Sequence, residues 1–162
     1  MSSFDSIHAD ATTIAGSVKD TDLTAADVIS SSLDRIKQLN STLGAFTDVT
    51  ETKALRDAQE VDRQVAAGAY LPLAGVPFAV KNLFDIEGIT TCAGSKINRD
   101  NPPAAADAFL VSRLKSAGAI LTGSLNMGEY AYDFTGENVH DGNCLNPHDT
   151  NRMAGGSSSG SG

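Results

Sequence analysis

The chain has 162 residues, of which 41% are hydrophobic and 20% are charged, a composition typical of one soluble globular domain and too apolar for a disordered chain. The formal net charge of −8 argues against nucleic-acid binding, because contacts with phosphates need a basic surface. No secretory signal pattern opens the sequence, and no apolar run is long enough to span a bilayer. With Cys92 and Cys144 interpreted as reduced thiols, we expect a soluble cytoplasmic protein.

Three helical patterns come first along the chain. Apolar residues at helical spacing predict a helix over residues 7–18, and a longer apolar stripe predicts a second helix that follows Thr24 and is closed by Asn40. Asp27 lies three residues after Thr24, which is the spacing of a capping box with Asp in place of Glu or Gln. A third helix is predicted over residues 50–67, before a glycine.

Beyond residue 72 the pattern changes from helical to strand-like. The nearly continuous apolar run at residues 73–80 predicts a buried strand, and a shorter one is predicted at residues 119–122. Between them, Asp107 is expected to cap a helix that runs through Ala117. Helices and strands at this spacing indicate an α/β layer built around a mixed or parallel sheet. From Gly136 onward the sequence is typical of loops.

Two features of this second region could carry chemistry. Lys81 directly follows an apolar strand, and burial there would lower its pKa and make the amine a usable base. The glycine- and serine-rich residues 155–162 could bring backbone N–H groups and hydroxyls close to a ligand. Taken singly, each has a simpler explanation: a strand-end lysine reaches solvent, and a Gly/Ser tract is a flexible linker.

Three elements, in order, resemble the amidase-signature enzymes. Residues 75–82 (GVPFAVKN) resemble their G-(I/V)-P-(F/I)-x-(V/I)-K-(D/N) element, and residues 117–127 (AGAILTGSLNM) resemble A-G-A-x-x-x-G-x-(T/L)-N-(M/L). Residues 146–161 resemble the N-P…G-G-S-S-G-G-S stretch that opens the signature. The resemblance implies an α/β amidase-signature core with a mixed sheet flanked by helices. Residues 71–162 would be the N-terminal part of that core, truncated, and residues 1–70 a helical segment before it.

The resemblance also implies a triad of lysine, a serine in a cis peptide, and a nucleophilic serine. Lys81 matches the lysine and Ser157 matches the cis-serine, whose hydroxyl would relay the proton while neutral Lys81 acts as general base. The nucleophile and its oxyanion hole would follow in a D-T-x-G-S turn, and the sequence ends at Gly162, before that position. We therefore expect this chain to be inactive by itself.

Four further residues are candidates for binding the substrate. Gly155, Gly156 and Ser158 flank the predicted cis-serine, where small residues let the backbone accept that conformation and approach a ligand. Tyr132 matches a position that lines the substrate pocket in relatives, although ordinary packing explains an aromatic residue there equally well. No metal or organic cofactor is implied. Glu129 and Asp133, four residues apart, are interpreted as a solvated face.

Within the family, residues 81–86 (KNLFDI) and 90–97 (TTCAGSKI) most resemble 1-carboxybiuret hydrolases of cyanuric acid degradation. This implies hydrolysis of a small amide, an oligomeric enzyme and a small helical partner subunit. One alternative is the A subunit of an aspartyl/glutamyl-tRNA amidotransferase, which would use glutamine. Another, of a different class, is a truncated, inactive fragment or interaction module.

Overall fold

A computed structural model describes residues 8–162, and within them it contains four α-helices and three strands. In chain order these are α1 (Ala11–Lys19), α2 (Ala25–Leu43), β1 (Phe46–Val49), α3 (Glu51–Ala66), β2 (Pro77–Lys81), α4 (Phe109–Ser116) and β3 (Ile120–Leu125). The first predicted helix began at Ile7, which lies outside the described residues. None of the helices in residues 8–162 is long and apolar enough to cross a membrane.

Two compact units are formed from interleaved segments of the chain. The first contains the described part of Met1–Ile36 together with Thr50–Phe78 and Arg113–Thr122. The second contains Lys37–Val49, Ala79–Ser112 and Gly123–Gly162. The units are defined by compactness and do not indicate where the family core begins. The predicted boundary between residues 70 and 71 therefore stays a prediction.

The first unit is built around an apolar core. Its helices have apolar faces at helical spacing, as the sequence predicts. The buried residues of this core are Ile14, Val18, Ala25, Val28, Ile29, Leu33, Ala54, Ala58, Val61, Leu71, Ala74 and Ile120. Burial of this apolar surface is what stabilises the unit.

The start of α2 is capped from two sides. The backbone N–H of Asp27 donates to Thr24 Oγ1 at 3.0 Å, which confirms the predicted cap. The carboxylate of Asp62 on α3 accepts from the backbone N–H groups of Ala25 at 2.6 Å and Ala26 at 3.2 Å. Three N–H groups that a helix start leaves unpaired are thus satisfied, two of them by a negative charge that also favours the helix dipole.

The three strands form one mixed sheet in the order β1–β3–β2. β1 pairs antiparallel with β3, with Phe46 opposite Leu125 and Val49 opposite Gly123. β2 runs parallel to β3, because Ile120 N donates to the carbonyl before β2 and the N–H after β2 donates to Leu125 O. All six residues of β3 are buried, as expected for a central strand. The fold is therefore α/β with a mixed sheet, as predicted.

Several predicted boundaries were wrong. α2 continues past Asn40 to Leu43, where Gly44 at φ +63° ends the helix and donates its N–H to Asn40 O. The strand predicted over residues 73–80 is confined to Pro77–Lys81, and the one predicted at residues 119–122 extends to Leu125. The sequence analysis missed β1 altogether, because four half-exposed residues carry no clear alternation.

Candidate active site

Lys81 is the last residue of β2, and its amine meets the predicted cis-serine. Lys81 Nζ donates a hydrogen bond to Ser157 Oγ at 2.7 Å, across a separation of 76 residues in sequence. The lysine is partly buried, and this burial holds the pKa of its ammonium below the usual range. The structure thus brings the two predicted catalytic residues into direct contact, at a lysine whose burial lowers its pKa.

Ser157 lies in the glycine-rich loop, and the peptide bond between Gly156 and Ser157 is cis. This is the conformation that the family resemblance predicted for the serine. Gly155, just before it, has φ +88°, in the left-handed region that favours glycine. The local conformation therefore depends on residues that the sequence analysis had singled out.

Three backbone hydrogen bonds hold this loop against residues 126–136. Gly128 N donates to Ser157 O at 3.0 Å, Gly160 N donates to the carbonyl of residue 126 at 3.0 Å, and Gly155 N donates to Thr135 O at 3.1 Å. A Cβ added at Gly156 would lie 2.9 Å from Asp133 O and 3.0 Å from a second backbone atom, so only glycine fits there. The cis-serine is fixed by neighbouring backbone as well as by Lys81.

The predicted substrate-binding residues are more exposed. Tyr132 is 95% exposed in this part of the enzyme, so it does not pack in the core of its own unit. Ser158 and Gly156 are exposed, and Gly155 is partly buried. These positions surround Ser157 in sequence, and their role in binding a substrate stays a prediction.

The two carboxylates that the sequence analysis assigned to a solvated face have specific partners. Asp133 accepts hydrogen bonds from the N–H and hydroxyl of Thr135 and from Gly136 N, and the Thr135 contacts chiefly hold the pKa of that carboxyl below its usual range. Glu129 accepts from the hydroxyl of Ser95, which is the main reason that its pKa is lowered, and also contacts His140 Nε2. The solvated-face interpretation was therefore incomplete.

Buried asparagines are the residues that sequence reasoning missed around this site. Asn82, Asn126 and Asn138 are each at most 4% exposed. Each side chain is hydrogen-bonded to backbone that lies in a segment other than its own. Asn82 and Asn126 appeared in the resemblance only as letters of a motif. Asn138 had no signal, because an asparagine in a loop-like segment is most often a turn residue.

The thiols and ionisable groups add little further chemistry to the site. Cys92 and Cys144 are free, as predicted, and burial raises the pKa of both thiols. Within residues 8–162 there is no group of three or more His, Cys, Asp and Glu side chains placed to hold a metal ion. What the arrangement can do is move a proton: a neutral Lys81 can accept from Ser157 Oγ, and that oxygen can accept in turn from a third group.

Comparison with known proteins identifies the family of the chain. The amidase family model matches residues 27–162. The 1-carboxybiuret hydrolase subunit AtzE of Pseudomonas sp. strain ADP is 58% identical over 139 residues, covering 85% of this chain and 30% of that protein. The A subunit of glutamyl-tRNA(Gln) amidotransferase from Aromatoleum aromaticum is 40% identical over 155 residues, covering 96% of this chain and 31% of that protein.

Among solved structures, one matches with a TM-score of 0.92 and 52% identity, and it covers 94% of this chain and 34% of that chain. It is described as an unexpected vestigial protein complex that reveals the evolutionary origins of an s-triazine catabolic enzyme. The chain spans about a third of the length of the proteins it matches. Because the family model matches well over half of its residues, the chain belongs to the amidase family, the amidase-signature enzymes.

Proposed function

We propose that this chain is the N-terminal part of an amidase-signature hydrolase and supplies the Lys81–Ser157 half of a Lys–Ser–Ser proton relay. The observation that carries the proposal is the 2.7 Å hydrogen bond between Lys81 Nζ and Ser157 Oγ, on a lysine whose pKa is lowered by burial. The third member is a nucleophilic serine in the rest of the enzyme. Residues Gly155, Gly156, Ser158 and Tyr132 would line the substrate site beside Ser157.

The relay would work as follows. Neutral Lys81 accepts the proton of Ser157 Oγ as that oxygen accepts the proton of the nucleophilic serine, which attacks the amide carbonyl. The relay then returns a proton to the leaving nitrogen, which breaks the C–N bond and leaves an acyl-enzyme. Water, deprotonated by the same groups, attacks the ester and releases the acid and the free serine. No step requires a metal or an organic cofactor.

The proposed substrate is 1-carboxybiuret. It rests on the higher identity to the 1-carboxybiuret hydrolase subunit, 58% against 40% for the amidotransferase A subunit. The second candidate is therefore glutamine hydrolysis as an amidotransferase A subunit. Since the first relative is called a subunit and a similar solved structure is a complex, we also propose a partner subunit and an oligomeric enzyme. The family resemblance suggests that this partner is small and helical, and we propose that the enzyme is cytoplasmic.

The test uses the full-length protein and measures ammonia released from 1-carboxybiuret and, separately, from L-glutamine. We expect turnover of 1-carboxybiuret, and a fall of about 10²- to 10⁴-fold in both Lys81→Ala and Ser157→Ala, because both remove a proton-transfer group. Ser30→Ala, an exposed serine on α2, is the matched control and should retain normal turnover.

Normal turnover in Lys81→Ala or Ser157→Ala would refute the relay. Turnover of L-glutamine alone would instead establish the amidotransferase alternative. A purified protein with the mass of these 162 residues alone, no companion polypeptide and no turnover of either amide would support the remaining alternative, an inactive fragment or interaction module.

A further inference from the structure

Asn138 is a buried side chain whose hydrogen-bonding capacity is fully used. It is 4% exposed, and its Nδ2 donates to Gly94 O and to Met127 O, both at 2.8 Å. Its Oδ1 accepts from the backbone N–H groups of His140 at 2.8 Å and of residue 141 at 2.9 Å. A primary amide offers two donors and one acceptor oxygen with two lone pairs, so all four positions are occupied.

One of these hydrogen bonds leads to Lys81. Gly94, whose carbonyl accepts from Asn138, donates its own N–H to Asn82 Oδ1 at 2.9 Å. Asn82 is the residue after Lys81 and is 3% exposed, and its carbonyl accepts from Ala93 N at 2.9 Å. The turn at residues 93–94 is therefore tied on one side to the end of β2 and on the other to Asn138.

The other hydrogen bond leads to Ser157. Met127, whose carbonyl accepts from Asn138, precedes Gly128, and Gly128 N donates to Ser157 O at 3.0 Å. The route from Asn138 to the backbone of the cis-serine thus contains one side-chain hydrogen bond, one peptide unit and one backbone hydrogen bond. The two segments also pack closely against each other, since a Cβ at Gly94 would lie 2.8 Å from Met127 O.

We infer that Asn138 is a positioning residue that sets the separation of Lys81 Nζ and Ser157 Oγ by joining the two backbone segments that carry them. The inference rests on the proposed relay. Proton transfer requires heavy atoms about 2.6–3.2 Å apart, and a misplacement of about 1 Å costs about 10²-fold in rate. A buried amide that bridges two carbonyls fixes distance and angle together, because hydrogen bonds weaken steeply when they are bent or stretched.

The experiment is Asn138→Asp in the full-length protein, assayed by ammonia release from 1-carboxybiuret. The new carboxylate has nearly the same shape but places an acceptor opposite the carbonyls of Gly94 and Met127. We expect kcat to fall by about 10²-fold, with KM little changed. We also expect the acid limb of the kcat profile to move to higher pH, because a loosened site hydrates Lys81 and raises its pKa toward the usual range.

The matched control is Asn98→Asp. Asn98 Nδ2 also donates to two acceptors, Cys92 O at 3.0 Å and the Tyr130 hydroxyl at 2.9 Å, but lies on neither route to the relay. We expect its kcat and acid limb to match the unmodified enzyme. If Asn138→Asp does not fold, Asn138→Ser replaces it, since serine removes the two-carbonyl bridge without adding charge.

The outcomes separate this inference from the proposed function. With Ser157→Ala inactive, a normal kcat and acid limb in the Asn138 variant overturn the positioning role alone. A lower thermal stability with unchanged kcat per folded molecule, or a raised KM with unchanged kcat, overturns it as well, because either indicates a structural or binding role. Full activity in Ser157→Ala overturns the relay, and with it this inference.

Discussion

The two compact units differ in how many polar side chains they bury. The first has an apolar core formed by the faces of α1, α2 and α3 with residues around β3. The second contains most of the buried polar side chains in the described chain. These are Asn82, Ser95, Ser124, Asn126, Asn138 and Ser159, and both proposed catalytic residues lie in the same unit.

Apolar burial and buried hydrogen bonds differ in how precisely they hold side chains in place. Apolar burial is non-directional and roughly proportional to area, so a helical core tolerates small shifts of its side chains. Buried amides must meet particular partners at particular angles, and an unpaired one costs free energy. A unit held in this way is suited to keep two side chains at hydrogen-bond distance. The comparison predicts that substitutions in the first unit change stability, whereas those in the second change the activity of the folded protein.

The largest effect is expected for Lys81→Arg in the full-length enzyme. Arginine stays charged throughout the accessible pH range and cannot act as a base, so turnover should fall by about 10²- to 10⁴-fold at every pH. In the unmodified enzyme, burial lowers the pKa of Lys81, and in the proposed relay the neutral amine is the active form. Activity should therefore rise with pH on the acid limb, with an apparent pKa below that of a free lysine.

The measurement is the pH dependence of kcat for both proteins, alongside denaturant unfolding. The unfolding curves report separately any stability that the larger, permanently charged arginine costs at this partly buried position. An acid limb that is retained in Lys81→Arg would show that another group titrates, and would remove Lys81 from the relay.

The next effect is on stability in the first unit. Ile29 is fully buried in the apolar core, and Ile29→Ala should lower the free energy of unfolding by about 2–5 kcal/mol through lost burial and a cavity. Denaturant unfolding of the full-length protein measures this. The kcat per folded molecule and its acid limb should not change, and a shifted acid limb would break the separation between the two units.

Two glycine-to-alanine substitutions, one in each unit, compare a closely packed position with an open one. A Cβ at Gly160 would overlap Ala45 O and lie 2.8 Å from Asn126 N, so Gly160→Ala should cost about 1–3 kcal/mol of stability and also lower kcat by displacing the loop of Ser157. Gly16 lies inside α1 with no atom within 4 Å of an added Cβ. Gly16→Ala should therefore stabilise by about 0.5–1 kcal/mol, and thermal unfolding compares the two.

The smallest effect is expected at the start of α2. Asp62→Ala removes the carboxylate that accepts from two N–H groups there, and should cost about 0.5–2 kcal/mol. Asp57→Ala on the same helix is the control, because Asp57 makes only partly exposed ion pairs with Lys53 and Arg56, and should cost less than about 1 kcal/mol. Equal losses in chemical denaturation would contradict the capping role.

Much of the first unit could be predicted from the sequence. The apolar faces of α1, α2 and α3 follow from helical spacing, and Thr24 was recognised as a cap from its distance to Asp27. The predicted helix ends were wrong where a residue typical of a helix end instead makes a tertiary contact. Asn40 was interpreted as a helix end, whereas its side chain binds both the N–H and the carbonyl of Phe46 while the helix continues.

In the second unit, the candidate site was predicted from the residues of a family motif more than from hydrophobic periodicity. The motif residues identified Lys81, Ser157 and the cis peptide, and the structure shows both the Lys81–Ser157 contact and the cis peptide. They did not identify Asn138, Glu129 or Asp133 as organising residues. Their partners belong to loops, and loop contacts leave no period in the sequence.

The sequence by itself determined approximately where the helices lie and which residue types are available for proton transfer, because both depend on neighbours along the chain. Only the tertiary structure decided that Lys81 Nζ lies 2.7 Å from Ser157 Oγ, since these residues are 76 positions apart. It also decided that burial lowers the pKa of the lysine and that buried asparagines hold the loops around it. Distances of this kind depend on how several loops close together, which no local pattern encodes.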